Sequence, residues 1–93
     1  MTKAAQVAFV KALAEEAGPR GIRVNAVAPG PVWTPLIPAT GWSSEKLERF
    51  GADTPIGRPA QPAELAGAYV YLASEEATYV SGAVIPVTGG KHL

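Results

Sequence analysis

Only two stretches of this chain have the character of buried β-strands, "GIRVNAVA" at 21–28 and "SGAVIPVTGG" at 81–90, and a helical pattern lies between them. Two strands joined through a helix form a βαβ unit, in which the strands run parallel. Parallel sheets need cover on both faces and several neighbouring strands, so a parallel pair seldom stands alone. Pro86 has no N–H to give to a ladder, which sends the second strand to a sheet edge. The inner side of the first strand is then left without a partner. The pattern is that of an α/β chain forming the end of a larger doubly wound parallel sheet: helix, strand, loop with a short helix, helix, strand.

The helices follow from where the breakers fall. Residues 3–17, "KAAQVAFVKALAEEA", hold no Gly or Pro, and Gly18-Pro19 supplies the stop. Residues 61–74, "QPAELAGAYVYLAS", read as a second long helix with Pro62 in its first turn. Both are apolar on nearly every side, which predicts burial on two faces. Between the first strand and this helix, residues 35–61 are rich in Pro and Gly. Within them "SSEKLERF" at 43–50 predicts a short helix capped by serine, with Glu45 in its first turn.

Composition removes most other chemistries. The 93 residues make one domain at most, and the core they can bury is marginal. Eight basic and eight acidic side chains cancel without forming runs, which argues against nucleic acid or a membrane surface as partner. There is no cysteine, and His92 is the only histidine, so thiolate chemistry, a histidine triad and a metal site lack material. Lys3, Gln6 and Lys11 interrupt the apolar residues of the first stretch, so it does not read as a signal peptide. The expectation is a soluble protein of a reducing compartment, the cytoplasm.

The stretch "VNAVAPGPVWTPL" at 24–36 carries the chemistry. Ligands of open parallel sheets bind beyond the carboxyl ends of strands, and the first strand ends here. Proline fixes φ and glycine admits close approach, so Pro29-Gly30-Pro31 makes a stiff ledge. Val32 and Trp33 can offer main-chain N–H and C=O groups and Thr34 a hydroxyl, a set that suits a planar amide. On spacing alone, an ordinary strand-to-loop turn is the simpler reading.

Taken together, "TKAAQVAFVKALAEE…GIRVNAVAPGPVWTPL", "TPIGRPAQPAELAGAYVYLAS" and "YVSGAVIPVTGG" resemble the C-terminal third of short-chain dehydrogenase/reductases. The closest likeness is to the bacterial subgroup of stress-associated oxidoreductases and aldehyde reductases. The resemblance covers essentially the whole chain. It implies a Rossmann-type fold, a partial dinucleotide-binding domain over 1–93, and hydride transfer between NADP or NAD and a small carbonyl/alcohol substrate.

It also implies roles for single residues. Lys3 matches the lysine of the Tyr-x-x-x-Lys signature, which holds the nicotinamide ribose and lowers the tyrosine pKa by its charge. Pro29, Gly30 and Val32 match the loop against the nicotinamide, with the main chain of Val32 on the carboxamide. Thr34 matches a hydroxyl that holds the carboxamide or the nearby phosphate. Residues 35–61 match the substrate lid, which makes Leu36, Ile37 and Trp42 candidates for substrate contact. Helices 3–17 and 62–73 match subunit interfaces, so a homo-oligomer is expected.

Other residues are expected to be structural. Arg58 and Glu64 would tie the lid's exit to the next helix, and Asn25 would bond neighbouring backbone. Tyr69, Tyr71 and Tyr79 would pack, and Lys91 and His92 would belong to a tail that is mobile unless another subunit pins it.

The family's Gly-x-x-x-Gly-x-Gly turn, which cradles the cofactor pyrophosphate, has no counterpart in the glycine spacing here. No lysine has a tyrosine four residues before it, so the catalytic tyrosine and serine are expected upstream. A truncated gene and a mis-assigned start are both compatible with this. The chain by itself is expected not to turn over, and a non-catalytic module that self-associates or docks onto a relative is the alternative.

Overall fold

The computed structural model describes residues 3–91, so His92 lies outside the described residues. Helix α1 (Lys3–Ala17) leads through a single tight turn at Gly18–Arg20 to strand β1 (Ala26–Pro29). A turn at Pro38–Thr40 and helix α2 (Ser44–Arg49) follow, then α3 (Ala63–Ala73) and strand β2 (Val84–Val87). The two strands pair with each other. Ala26 N–H donates to Ala83 C=O and Gly30 N–H to Val87 C=O, both at 2.9 Å and in one register, so the pair is parallel. This is the α/β order expected from the sequence.

By internal contact the chain forms two compact units. The first takes the stretch up to Ala28 together with Ala68–Ile85. Here both strands are shorter than their apolar runs predict: Gly82 N–H still donates to Val24 C=O at 2.7 Å, but side chains take the other places in the ladder. Val24 N–H donates to Ser81 Oγ (3.2 Å), and Ala83 N–H donates to Asn25 Oδ1 (3.0 Å). Asn25 Nδ2 in turn donates to Val80 C=O at 2.9 Å. The residues flanking β1 and β2 are therefore tied together without being regular strand.

Arg23 adds a further tie. Its guanidinium donates to Leu72 C=O at 2.8 Å and to Val80 C=O at 3.3 Å, beside the end of α3 and the turn after it. Hydrogen bonds from a charged donor to part-buried carbonyls are the stronger kind. Arg23→Ala is expected to lower stability by about 2 kcal/mol. Urea denaturation checks this, and an unchanged midpoint would show that the tie holds nothing.

The expected two-sided burial of the long helices is not found. Neither α1 nor α3 has a buried residue among those described. Phe9 is 56% exposed and Val70 67%, because two strands offer too little surface to cover two apolar helices. Tyr69, Tyr71 and Tyr79 are likewise exposed rather than packed, Tyr79 fully so. Ala77 is the one buried hydrophobic residue among those described. No helix among the described residues is long and apolar enough to cross a membrane.

The second unit takes Pro29–Gly67 and the stretch from Pro86 on. Helix α2 begins as its sequence predicts, with Ser43 Oγ accepting from Lys46 N–H at 3.2 Å. Helix α3 starts one residue after Pro62, whose carbonyl accepts from Leu65 N–H at 3.1 Å. The proline thus stands just outside the first turn.

The centre of this unit is polar. Thr54, only 5% exposed, has Gly51 C=O (3.0 Å) and Arg58 C=O (3.2 Å) within reach of its single hydroxyl proton, and its oxygen accepts from Gly57 N–H (3.1 Å). That one side chain closes the loop 51–58. Of the tail expected to be mobile, Lys91 is paired here, its Nζ with the Asp53 carboxylate, and just before it Gly89 C=O accepts from Ile56 N–H at 3.0 Å; His92 lies outside the described residues.

Candidate functional site

Beyond the end of β1, the chain from Pro29 to Thr34 is held by backbone pairing. Val32 forms an isolated parallel bridge with Ala60. Trp33 N–H donates to Ala60 C=O at 2.8 Å, and Ala60 N–H donates to Pro31 C=O at 2.9 Å. The main-chain N–H expected to be available at Trp33 is therefore occupied.

In an extended chain, a residue's own N–H and C=O point to the side opposite those of its neighbours. The groups of Pro31 and Trp33 face Ala60, so the N–H and C=O of Val32 face the other way. Neither takes a partner among the described residues. A donor and an acceptor on one edge, a few ångströms apart, match a primary amide.

The ledge is also tightly backed. A Cβ placed on Gly30 would come 2.8 Å from Thr88 Cα and 3.1 Å from Thr88 O, so only glycine fits without a backbone shift. Thr88 is itself buried. Pro29 is exposed, while Gly30, Val32 and Thr34 are half-buried. Thr34 C=O accepts from Ile37 N–H at 3.0 Å, whereas its hydroxyl makes no hydrogen bond among the described residues. The ledge therefore presents the Val32 main-chain pair and the Thr34 hydroxyl.

The residues expected to meet substrate lie on the same unit. Leu36 is 72% exposed, and Ile37 and Trp42 are half-buried. Between Trp33 and Ser43 the chain carries no ionisable side chain. Lys3 belongs to the first unit, where it is exposed at the start of α1.

Arg58 and Glu64 form the scaffold tie expected of them. The guanidinium meets the carboxylate through two bonds, 2.7 Å and 2.9 Å, and Gln61 N–H donates to the same carboxylate at 2.9 Å. The Arg58 guanidinium first, then the Gln61 N–H, holds the Glu64 pKa down at about 2. A depressed carboxylate contributes stability above its ordinary pKa and loses it as pH falls through the folded value. The start of α3 should therefore loosen as pH drops from about 4.5 toward 2. A carboxyl NMR titration should place the Glu64 midpoint near 2, with Arg58→Gln returning it toward the ordinary glutamate value. A wild-type midpoint already at the ordinary value would refute the tie.

The cavity beside this pair, lined by Pro31, Arg58, Ala60, Glu64, Thr88 and Gly89, holds about 130 Å³. That lies below the roughly 300–1,000 Å³ of small-molecule sites, so it is a packing gap rather than a binding pocket.

Sequence reasoning missed three features here: the Thr54 hub, the ring of Phe50, whose centroid lies 6.0 Å from that of Trp33, and buried Gly51, whose Cβ position abuts the Pro59 backbone. The signal for the first two was weak, a lone threonine before Pro55 and a phenylalanine closing an otherwise charged helix. Gly51 stood among many turn glycines.

Comparison with known proteins places this geometry in context. The enoyl-(acyl carrier protein) reductase family matches residues 1–92. YhdF, an uncharacterised oxidoreductase of Bacillus subtilis, is 56% identical over 92 residues, 99% of this chain and 32% of that protein. NADPH-dependent aldehyde reductase 1, chloroplastic, of Arabidopsis thaliana is 49% identical over 90 residues, 96% of this chain and 31% of that protein. The crystal structure of a 3-oxoacyl-(acyl-carrier protein) reductase with bound NAD from Brucella melitensis superimposes with a TM-score of 0.78 at 40% identity. It matches 98% of this chain and 32% of that one. The chain thus spans about a third of the length of the relatives it matches.

Proposed function

Because this chain belongs to the short-chain dehydrogenase/reductase family, we propose that it supplies the nicotinamide end of an NAD(P)-dependent oxidoreductase acting on a carbonyl/alcohol pair. The observation that carries this is the main-chain pair at Val32, a free N–H and C=O shaped for a carboxamide. Val32 would hold the amide, with Pro29 and Gly30 as the rigid floor and the Thr34 hydroxyl on the carboxamide or the nearby phosphate. Lys3 would hold the ribose and keep a partner tyrosine acidic. The segment 35–61 would form the lid, with Leu36, Ile37 and Trp42 toward the substrate. A bound nicotinamide supplies the hydride.

Relatives named for NADPH and solved with NAD leave both cofactors within the proposal. We place the protein in the cytoplasm. The glycine-rich pyrophosphate cradle is not among these residues, so the isolated chain should not turn over. NADPH fluorescence should titrate without saturation against it.

The amide fit is tested on the chain itself by adding nicotinamide to the ¹⁵N-labelled protein. Shifts confined to Val32, Trp33 and Thr34, and absent with nicotinic acid, are the expected result. Equal shifts with both compounds, or none at Val32, would refute the fit.

A second reading has its own observation. Phe9, Leu13, Tyr69 and Val70 leave apolar helix surface exposed, which suits self-association through α1 and α3 as a homo-oligomer or docking module. Sedimentation of a stable monomer at high concentration would remove it.

A further inference from the structure

The helix α2 is too short to stand by its own hydrogen bonds, since isolated helices below about 12 residues are marginal in water. Its Glu45–Arg49 pair is exposed on both sides and adds little. What holds this part of the lid must be tertiary. Phe50, at the helix end, meets Trp33 of the ledge at 6.0 Å between ring centroids and Trp42 at 6.1 Å, tilted 54° and 55°. Both lie in the favourable range for tilted aromatic pairs. Lys46 then lays its ammonium over the Trp42 ring at 4.1 Å.

Phe50 has a fixed base. The next residue, Gly51, is buried, and a Cβ placed on it would run into the backbone of Pro59. Trp33 is equally fixed, because its N–H is bonded to Ala60. The ring of Phe50 is therefore a wedge between two anchored points, and α2 with Trp42 hangs from it.

We propose that Phe50 is the positioning residue that seats the lid on the ledge, clamping Trp33 and Trp42 and drawing the Lys46 side chain down onto the aromatic surface. The clamp rests on the ring geometry. Its consequence for substrate closure rests on the reading of 29–34 as the amide ledge, since Trp33 lies between Val32 and Thr34. A ligand on the ledge and a seated lid would share that residue.

Limited trypsin digestion of the full chain, followed by mass spectrometry, tests the clamp at the Lys46–Leu47 bond. Lys46 is exposed, but cutting beside it needs α2 to open and its ammonium to leave the Trp42 ring, so wild-type cleavage there should be at least about tenfold slower than in a synthetic peptide of residues 40–52. Phe50→Leu, which keeps apolar bulk without a ring, should speed cleavage at Lys46 about tenfold and leave Lys11 and Arg20 unchanged. Phe50→Tyr should restore protection. The chain has two tryptophans, both against Phe50, so the leucine variant should also red-shift the emission and the tyrosine variant should not.

A wild-type bond cut as fast as the peptide would overturn the clamp. So would a leucine variant that changes nothing, or one that speeds every site alike. The nicotinamide titration is independent: its failure removes the ledge reading and leaves the digestion pattern to stand or fall alone.

Discussion

Gly51→Ala should lower stability more than any other single change described here, by about 3–4 kcal/mol. Two costs combine. Gly51 has φ +81°, a left-handed conformation that costs an L-residue roughly 1–2 kcal/mol. Its Cβ would also sit 2.5 Å from Pro59 N and 2.7 Å from Pro59 Cα, where no flexible side chain can yield. Overpacking of that kind costs about 1–3 kcal/mol. At about 0.05–0.15 kcal/mol per residue, this loss is a large part of what a chain of this size holds. Gly67→Ala is the control. Gly67 lies in α3 with nothing within 4 Å of its Cβ position, so that change should stabilise by about 0.5–1 kcal/mol. Urea denaturation of the two variants side by side decides it. A Gly51→Ala midpoint equal to wild type would mean that the loop 51–58 is not the centre of the second unit.

Gly30→Ala should cost about 2–3 kcal/mol and act on the ledge as well as on stability. The new methyl would meet Thr88 Cα at 2.8 Å and Thr88 O at 3.1 Å. Both are main-chain atoms of a buried residue, so relief requires β1 and the turn after β2 to part. The Gly30 N–H bond to Val87 C=O, 2.9 Å in the native chain, lies directly in that path. The expected result is a lower urea midpoint together with loss of the nicotinamide-induced shift at Val32. Loss of stability with the Val32 shift intact would show that the ledge holds its shape independently of its backing.

Much of this was legible in the residues. The breaker-free run ending at Gly18 predicts where α1 stops, at Ala17, and Ser43 predicts the start of α2. Those features depend on neighbours in sequence, where propensity and capping decide. The strand lengths did not follow, because apolar runs at 21–28 and 81–90 cannot show that Ser81 and Asn25 side chains displace backbone bonds. Burial of the helices failed for a related reason. An apolar pattern tells that a face can be buried, not how much surface there is to bury it, and two short strands offer too little for both helices. At the ledge, proline and glycine announced a stiff turn. Which main-chain groups remain free was settled by Ala60, nearly thirty residues away, and no local rule reaches that far.

The single register of the two strands has a consequence for how this chain assembles. Ala26 meets Ala83 and Gly30 meets Val87, so the sheet bonds join residues far apart along the chain. Helices form within about a microsecond, whereas pairings of such long sequence separation slow folding toward milliseconds or more. During synthesis at roughly 5–20 residues per second, α1 and β1 wait seconds for β2 to appear. For that interval the β1 edge is open. The yield of folded chain should therefore depend on how long that wait lasts.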